Sequence, residues 1–123
     1  MTYPSVQVLI VDDEPAIRFT LSLMLQRSGY VVTTAADSTE ALKLLQAQTF
    51  DLLLLDLILP GMNGVVLAQC AHKLQPAAAV LILSGSQEFG SEMNDAERNG
   101  FDWMYKTASP QEVLDCVAAL ISR

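Results

Sequence analysis

A chain of 123 residues is the size of one ordinary domain, long enough to bury a core without disulfide or metal staples. Its 51 % hydrophobic and 17 % charged residues, with only 5 prolines, exclude a disordered tail and a collagen-like chain. Fourteen acidic against 7 basic side chains give a net charge of −7 with no basic block, so direct nucleic-acid binding lacks the positive charge that displaces counterions from phosphates.

Met1 to Ser5 carry neither a basic nor an apolar leader region, and no apolar run approaches the length of a membrane span. The expected location is therefore the cytoplasm, without a membrane partner. The string Val6 to Val11 predicts a first strand, and Ile17, Leu21 and Leu25 at helical spacing predict a first helix that starts near Pro15 and is capped at its C-terminus by Gly29. A weaker string over Tyr30 to Thr34 predicts the second strand, and Asp37 with Glu40 three residues later resembles a capping pair for the second helix. Leu52 to Leu55 and Val80 to Leu83 predict the third and fourth strands. A fourth helix within residues 89–99, closed by Gly100, is the least apolar of the set and is expected to face solvent or a partner. Asp102 to Tyr105 predicts the fifth strand. Ser109-Pro110-Gln111-Glu112 is a helix-start signature, because Ser can cap, Pro suits the first helical position and Glu can answer the cap backbone, so a last helix is placed at Pro110 to Ile121. Continuous rather than alternating apolar strings suit strands covered on both faces, the condition of a parallel sheet; five strand-helix units read as a doubly wound α/β fold. Cys70 and Cys116 fall in predicted helices without a CxxC pair and read as free, buried thiols in a reducing compartment.

In an open parallel sheet, ligands collect beyond the C-terminal ends of the strands. Asp12 and Asp13 follow the first strand, Asp56 the third, Ser84 the fourth and Lys106 the fifth, so three carboxylates, a hydroxyl and an ammonium converge on one rim. Singly, each has an ordinary reading: Asp12 or Asp13 could cap the first helix, Asp56 could end a strand, and Lys106 could be a solvated amine. Together they ask for a cation, because like charges placed side by side resist ionisation. Mg²⁺ fits, with Asp13 and Asp56 as direct ligands and Asp12 acting through water. His72, the only histidine, lies away from this rim and receives no metal role.

The run Asp56-Leu57-Ile58-Leu59-Pro60-Gly61-Met62-Asn63-Gly64, with Asp12-Asp13, Ser84 and Lys106, closely resembles the receiver domain of two-component response regulators (CheY-like), over essentially the whole chain. The resemblance implies a flavodoxin-like (βα)5 three-layer sandwich with a five-stranded parallel sheet in the order 2-1-3-4-5, residues 1–123 forming a single receiver domain. It implies that Asp56 accepts a phosphoryl group from a phosphohistidine, that Asp12 and Asp13 form the Mg²⁺ pocket with the Ile58 carbonyl as a further ligand, and that Ser84 and Lys106 contact the phosphoryl group. The chain would then catalyse its own phosphorylation and dephosphorylation without being a conventional enzyme. Trp103 resembles the switch aromatic three residues before the lysine, and Ile58 and Ser86 the positions that tune the reset. An apolar Ile58 cannot orient the attacking water, so a phosphoryl state lasting at least minutes is expected. The implied partners are a sensor histidine kinase or a histidine phosphotransfer protein, a downstream protein or effector domain, and a second copy through the face of the fourth helix, fifth strand and fifth helix (α4-β5-α5 in the family). Thr107 departs from the family's Pro, and a trans Lys106-Thr107 bond, or a strained cis one, is expected because a cis bond without Pro costs about 2.5 to 4 kcal/mol. The competing reading is an adaptor with the receiver fold that works without phosphorylation.

Overall fold

The computed structural model describes residues 5–85 and 100–122. The predicted fourth helix and Ser86 lie outside the described residues. Strand β1 (Gln7–Val11) leads into α1 (Pro15–Arg27), then β2 (Val31–Ala35), α2 (Ser38–Ala47) and β3 (Leu52–Asp56). A short hairpin of β4 (Ile58–Leu59) and β5 (Met62–Asn63) precedes α3 (Gly64–Leu74), and β6 (Ala79–Ser84), β7 (Asp102–Tyr105) and α4 (Pro110–Ile121) complete the described elements. Helix α4 is thus the last helix of the sequence reading, with the expected bounds.

The main sheet runs β2-β1-β3-β6-β7 with every neighbouring pair parallel. Counting only its five strands, this is the order 2-1-3-4-5 expected from the family resemblance. The continuous apolar strings bury both faces of the sheet: Leu52, Leu53, Leu54 and Leu55 are all fully buried, each stabilising the fold by about 2 kcal/mol. Alternate residues feed two separate cores. Leu9, Val11, Leu53, Leu55 and Ile82 pack with Ala41 and Leu45 of α2 and Leu67, Ala68 and Ala71 of α3. Val8, Ile10, Leu52, Leu54 and Leu81 pack with Leu25 of α1 and Val113, Val117 and Leu120 of α4.

Helix starts follow local chemistry. Ser109 accepts from the Glu112 backbone N–H at 3.2 Å while the Glu112 carboxylate accepts from the Ser109 backbone N–H at 3.3 Å, the reciprocal cap expected from the sequence. Asp37 caps α2 through the Glu40 N–H at 2.8 Å, but the Glu40 carboxylate answers the N–H of Ala36 rather than that of Asp37. Neither Asp12 nor Asp13 caps α1. Glu14 occupies its N-cap without a side-chain cap bond, Pro15 opens the helix, and the Asp12 carboxylate instead turns back to the Glu14 N–H at 2.9 Å. Gly29, at φ +95°, leaves α1 through the left-handed conformation that glycine tolerates. Cys70 and Cys116 form no disulfide, as expected, but both are half-buried rather than buried, because each lies at the edge of its helix's packed face.

Two features were not anticipated. The β4-β5 hairpin turns through Pro60 and Gly61, the latter at φ +83°, the residue types a type II turn requires. Gln75 joins three backbones: it accepts from the Phe50 N–H at 2.8 Å and donates to the carbonyls of Leu45 at 2.8 Å and Gln48 at 2.7 Å, tying the end of α2 to the entry of β3.

Candidate functional site

The helices change faces between β1 and β3: α1 after β1 covers one face of the sheet, and α3 after β3 covers the other. This is the crevice where an open α/β sheet receives a ligand. Val11 of β1 is level with Leu55 of β3, so the next residues, Asp12 and Asp56, stand side by side at the crevice. Ser84 ends β6 beyond Asp56, and Lys106 follows β7 with its backbone N–H donated to the Ser84 carbonyl at 2.8 Å. The rim predicted from the sequence is therefore assembled.

Close packing holds Asp56 in place. The Gly64 N–H donates to the Leu57 carbonyl at 2.6 Å, and a Cβ at position 64 would lie 2.8 Å from Leu57 Cα and overlap the Asp56 carbonyl oxygen. Only glycine lets the first turn of α3 press against the chain that carries Asp56. On the other side, Arg18 of α1 donates from Nη1 to the Asp12 carbonyl at 2.7 Å, fastening the loop that bears the acids.

Asp56 is buried and has contacts at both oxygens. Oδ1 accepts from the Ile58 N–H at 3.2 Å, and Oδ2 accepts from Lys106 Nζ at 3.0 Å. Burial pushes its carboxyl up to about 7, with the Asp12 charge adding to the rise, while the Lys106 hydrogen bond opposes it. For Lys106, burial works against the charged form, but its hydrogen bond to Asp56 and its attraction to Asp56 and Asp12 outweigh that and hold the ammonium above the usual lysine range. Asp12 Oδ2 lies 3.1 Å from the same ammonium, yet the contact lacks hydrogen-bond geometry, and among the described residues this buried oxygen accepts no hydrogen bond.

Asp12, Asp13 and Asp56 each bring a carboxylate oxygen within 4.8 Å of the others, a cluster able to chelate a divalent metal. The residues fit a hard cation: all the donors are oxygens, two of the acids are buried, and the undonated Asp12 Oδ2 is an acceptor awaiting positive charge. Ser84 is fully buried and its hydroxyl donates to the Gly85 carbonyl at 3.1 Å. Trp103 is half-buried against the core on the α2-α3 face and meets Tyr105 edge-on, with ring centroids 5.1 Å apart. No described peptide bond is cis, so Lys106-Thr107 is trans, and Lys106 still reaches Asp56. Ile58 is half-exposed and its backbone N–H reaches Asp56, whereas His72 is exposed on the last turn of α3, away from the site. Sequence reasoning missed Glu14, whose carboxylate pairs with Lys106 at 3.2 Å; the signal was present in three consecutive acids, Asp12, Asp13 and Glu14.

A family model described as response regulator receiver domain matches residues 8–118. The chain belongs to the response regulator receiver domain family. The receiver superposes on a receiver domain protein (CheY-like) from Methanospirillum hungatei JF-1 with a TM-score of 0.89 and 30 % identity, covering 97 % of this chain and 95 % of that one. It is also similar to a response regulator protein from Burkholderia pseudomallei, whose structure is described as containing a phosphorylated aspartic acid, calcium ion and citrate. That match has a TM-score of 0.80 and 33 % identity, and covers 94 % of this chain and 66 % of that one. Among curated proteins, the alkaline phosphatase synthesis transcriptional regulatory protein PhoP of Bacillus subtilis is 35 % identical over 117 residues, 95 % of this chain and 49 % of that protein. The receiver thus spans about half the length of the curated relatives it matches. Among the described residues, no helix is long and apolar enough to cross a membrane.

Proposed function

We propose that this receiver is a phosphoacceptor switch of a two-component or phosphorelay system, taking a phosphoryl group onto Asp56 from a phosphohistidine of a sensor kinase or histidine phosphotransfer protein. The observation that carries this reading is a buried carboxylate held 3.0 Å from a lysine ammonium and within 4.8 Å of two further acids, at the crevice of the sheet. The Asp56 carboxylate attacks phosphorus, the P–N bond breaks, and the imidazole leaves with the bonding pair. Lys106 supplies positive charge toward the transferred oxygens, and the Ser84 hydroxyl, now on the Gly85 carbonyl, is the donor that can turn to them. Mg²⁺, held by Asp12, Asp13 and Asp56 with the Ile58 carbonyl, would neutralise charge on the phosphoryl oxygens and favour ionised Asp56. Reset follows when water attacks phosphorus, breaks the P–O bond and releases phosphate, leaving the carboxylate. Ile58 and Ser86 tune that step; Ser86 lies outside the described residues.

Trp103 is the proposed switch ring. Its half-buried seat beside Tyr105 gives it a packed position to leave, and its output surface is the face of β7 and α4. A downstream protein, an effector domain or a second copy would be received there, in the cytoplasm, with residues 1–123 acting as one receiver unit. The burial of Lys106 and its pairing with Asp56 support phosphotransfer over the adaptor reading, since an adaptor has no use for them.

Intact-mass spectrometry after incubation with acetyl phosphate tests the reading. A Mg²⁺-dependent gain of one phosphoryl group that disappears in Asp56→Ala is expected. No gain from acetyl phosphate or from a panel of phosphorylated histidine kinases would leave the adaptor as the better account.

A further inference from the structure

Lys106 is paired more fully than chemistry at Asp56 requires. Its ammonium lies 3.0 Å from Asp56 Oδ2, 3.1 Å from Asp12 Oδ2 and 3.2 Å from Glu14 Oε1. Of the three N–H donors of an ammonium, one goes to Asp56 and one to Glu14, while Asp12 Oδ2 stands beside the group without hydrogen-bond geometry, so the Glu14 bond occupies a donor that a phosphoryl oxygen could take. Of the three carboxylates, Glu14 is the one placed to yield. Asp12 and Asp56 are buried at strand ends, with side chains 1 % and 2 % exposed, whereas the Glu14 side chain is 59 % exposed. Glu14 is also not needed for capping: it stands at the N-cap of α1 without a side-chain bond to the helix, and its carboxylate reaches across the rim to the loop after β7.

We infer that Glu14 is a positioning residue that withholds Lys106 from an incoming phosphoryl group and thereby sets how readily the receiver accepts it. The inference rests on the phosphoacceptor reading of Asp56. An exposed ion pair is weak and salt-screened, so Glu14 can return to water when a better acceptor arrives, while Asp12 and Asp56 cannot. The pair thus acts as a brake that a phosphoryl group releases by competing for the ammonium. Phosphorylation should accelerate when the contact is removed, even if the negative charge at position 14 is kept.

Two variants separate the contact from the charge. Glu14→Asp keeps the charge but is one methylene too short for Lys106, and Asp is a better N-cap residue, which draws it toward α1. Glu14→Gln keeps the reach and removes the charge. With acetyl phosphate and Mg²⁺, both variants are expected to take up label about 1.5- to 5-fold faster than the wild type, the range spanned by a weak ion pair. Calorimetric titration with beryllofluoride in Mg²⁺, which involves no transfer chemistry, should show tighter binding to Glu14→Asp by a similar factor. Acceleration in Glu14→Gln alone would assign the effect to the acidic field and overturn the inference, as would wild-type rates in both variants. A wild type that neither takes label nor binds beryllofluoride would instead overturn the phosphoacceptor reading itself, and this inference with it.

Discussion

Asp56→Asn is expected to make the metal-free receiver more stable at neutral pH. The folded chain holds the Asp56 carboxyl up at about 7, against 3.8 for an unperturbed aspartate. A carboxyl whose pKa is higher folded than unfolded supports the fold fully below the unfolded value, and that support is lost as pH rises through the folded value. At 1.36 kcal/mol per unit, an ionised Asp56 costs the fold up to about 4 kcal/mol above neutrality. Relaxation and water at the mouth reduce that, and about 2 kcal/mol is expected. Asn has nearly the shape of the protonated acid and can still accept from Lys106, so it should recover this amount. Urea unfolding in EDTA should show the gain near pH 8 and roughly half of it near pH 5.5, where the wild type is largely protonated at this site. Mg²⁺ at about 100 times its dissociation constant should add about 2.7 kcal/mol to the wild type and much less to the variant, narrowing the gap. A variant no more stable than the wild type near pH 8, or a gain unchanged near pH 5.5, would refute the claim that burial of an ionised Asp56 is costly.

Gly64→Ala should destabilise the fold by about 2 to 4 kcal/mol, because its Cβ meets the backbone of Asp56 and Leu57 rather than a movable side chain; a loss under 1 kcal/mol on urea unfolding would contradict that contact. Gln75→Ala should cost about 2 to 3 kcal/mol by unpairing the Phe50 N–H and two carbonyls, and hydrogen exchange should rise at Phe50 before it rises in β6. Phosphorylated receiver should persist for minutes or longer in Mg²⁺, since half-exposed Ile58 gives an attacking water no hydrogen-bond partner. Ile58→Asn should shorten that lifetime, and a wild-type half-life of seconds, followed by acid-quenched mass spectrometry, would show that the side chain at 58 does not limit water.

Much of this architecture is legible because its determinants are local. Four successive leucines bounded by polar residues suit a strand covered on both faces, and Ser109 to Glu112 carry both halves of a reciprocal cap within four residues. The convergence of Asp12, Asp56, Ser84 and Lys106 was legible for a different reason: each ends or follows a parallel strand, so one sheet brings residues distant in sequence to one rim. Contacts depending on side-chain reach were hidden. Nothing in the spacing of Glu14 and Lys106, 92 residues apart, announces an ion pair, and Gln75 resembles any polar residue at the end of a helix until Phe50 and α2 are brought to it. The same distinction separates the site into two parts. The residues that strand ends place, Asp12 and Asp56, are buried and can hardly move without disturbing the sheet, whereas Glu14 is placed only by its own reach and is mostly exposed. Charge at the rigid positions determines that a phosphoryl group and a cation can be held at all. Charge at the position placed by reach can only adjust how fast they arrive and how tightly they are held, so substitutions at 14 should alter rates and affinity while leaving the acceptor, the metal requirement and the fold intact.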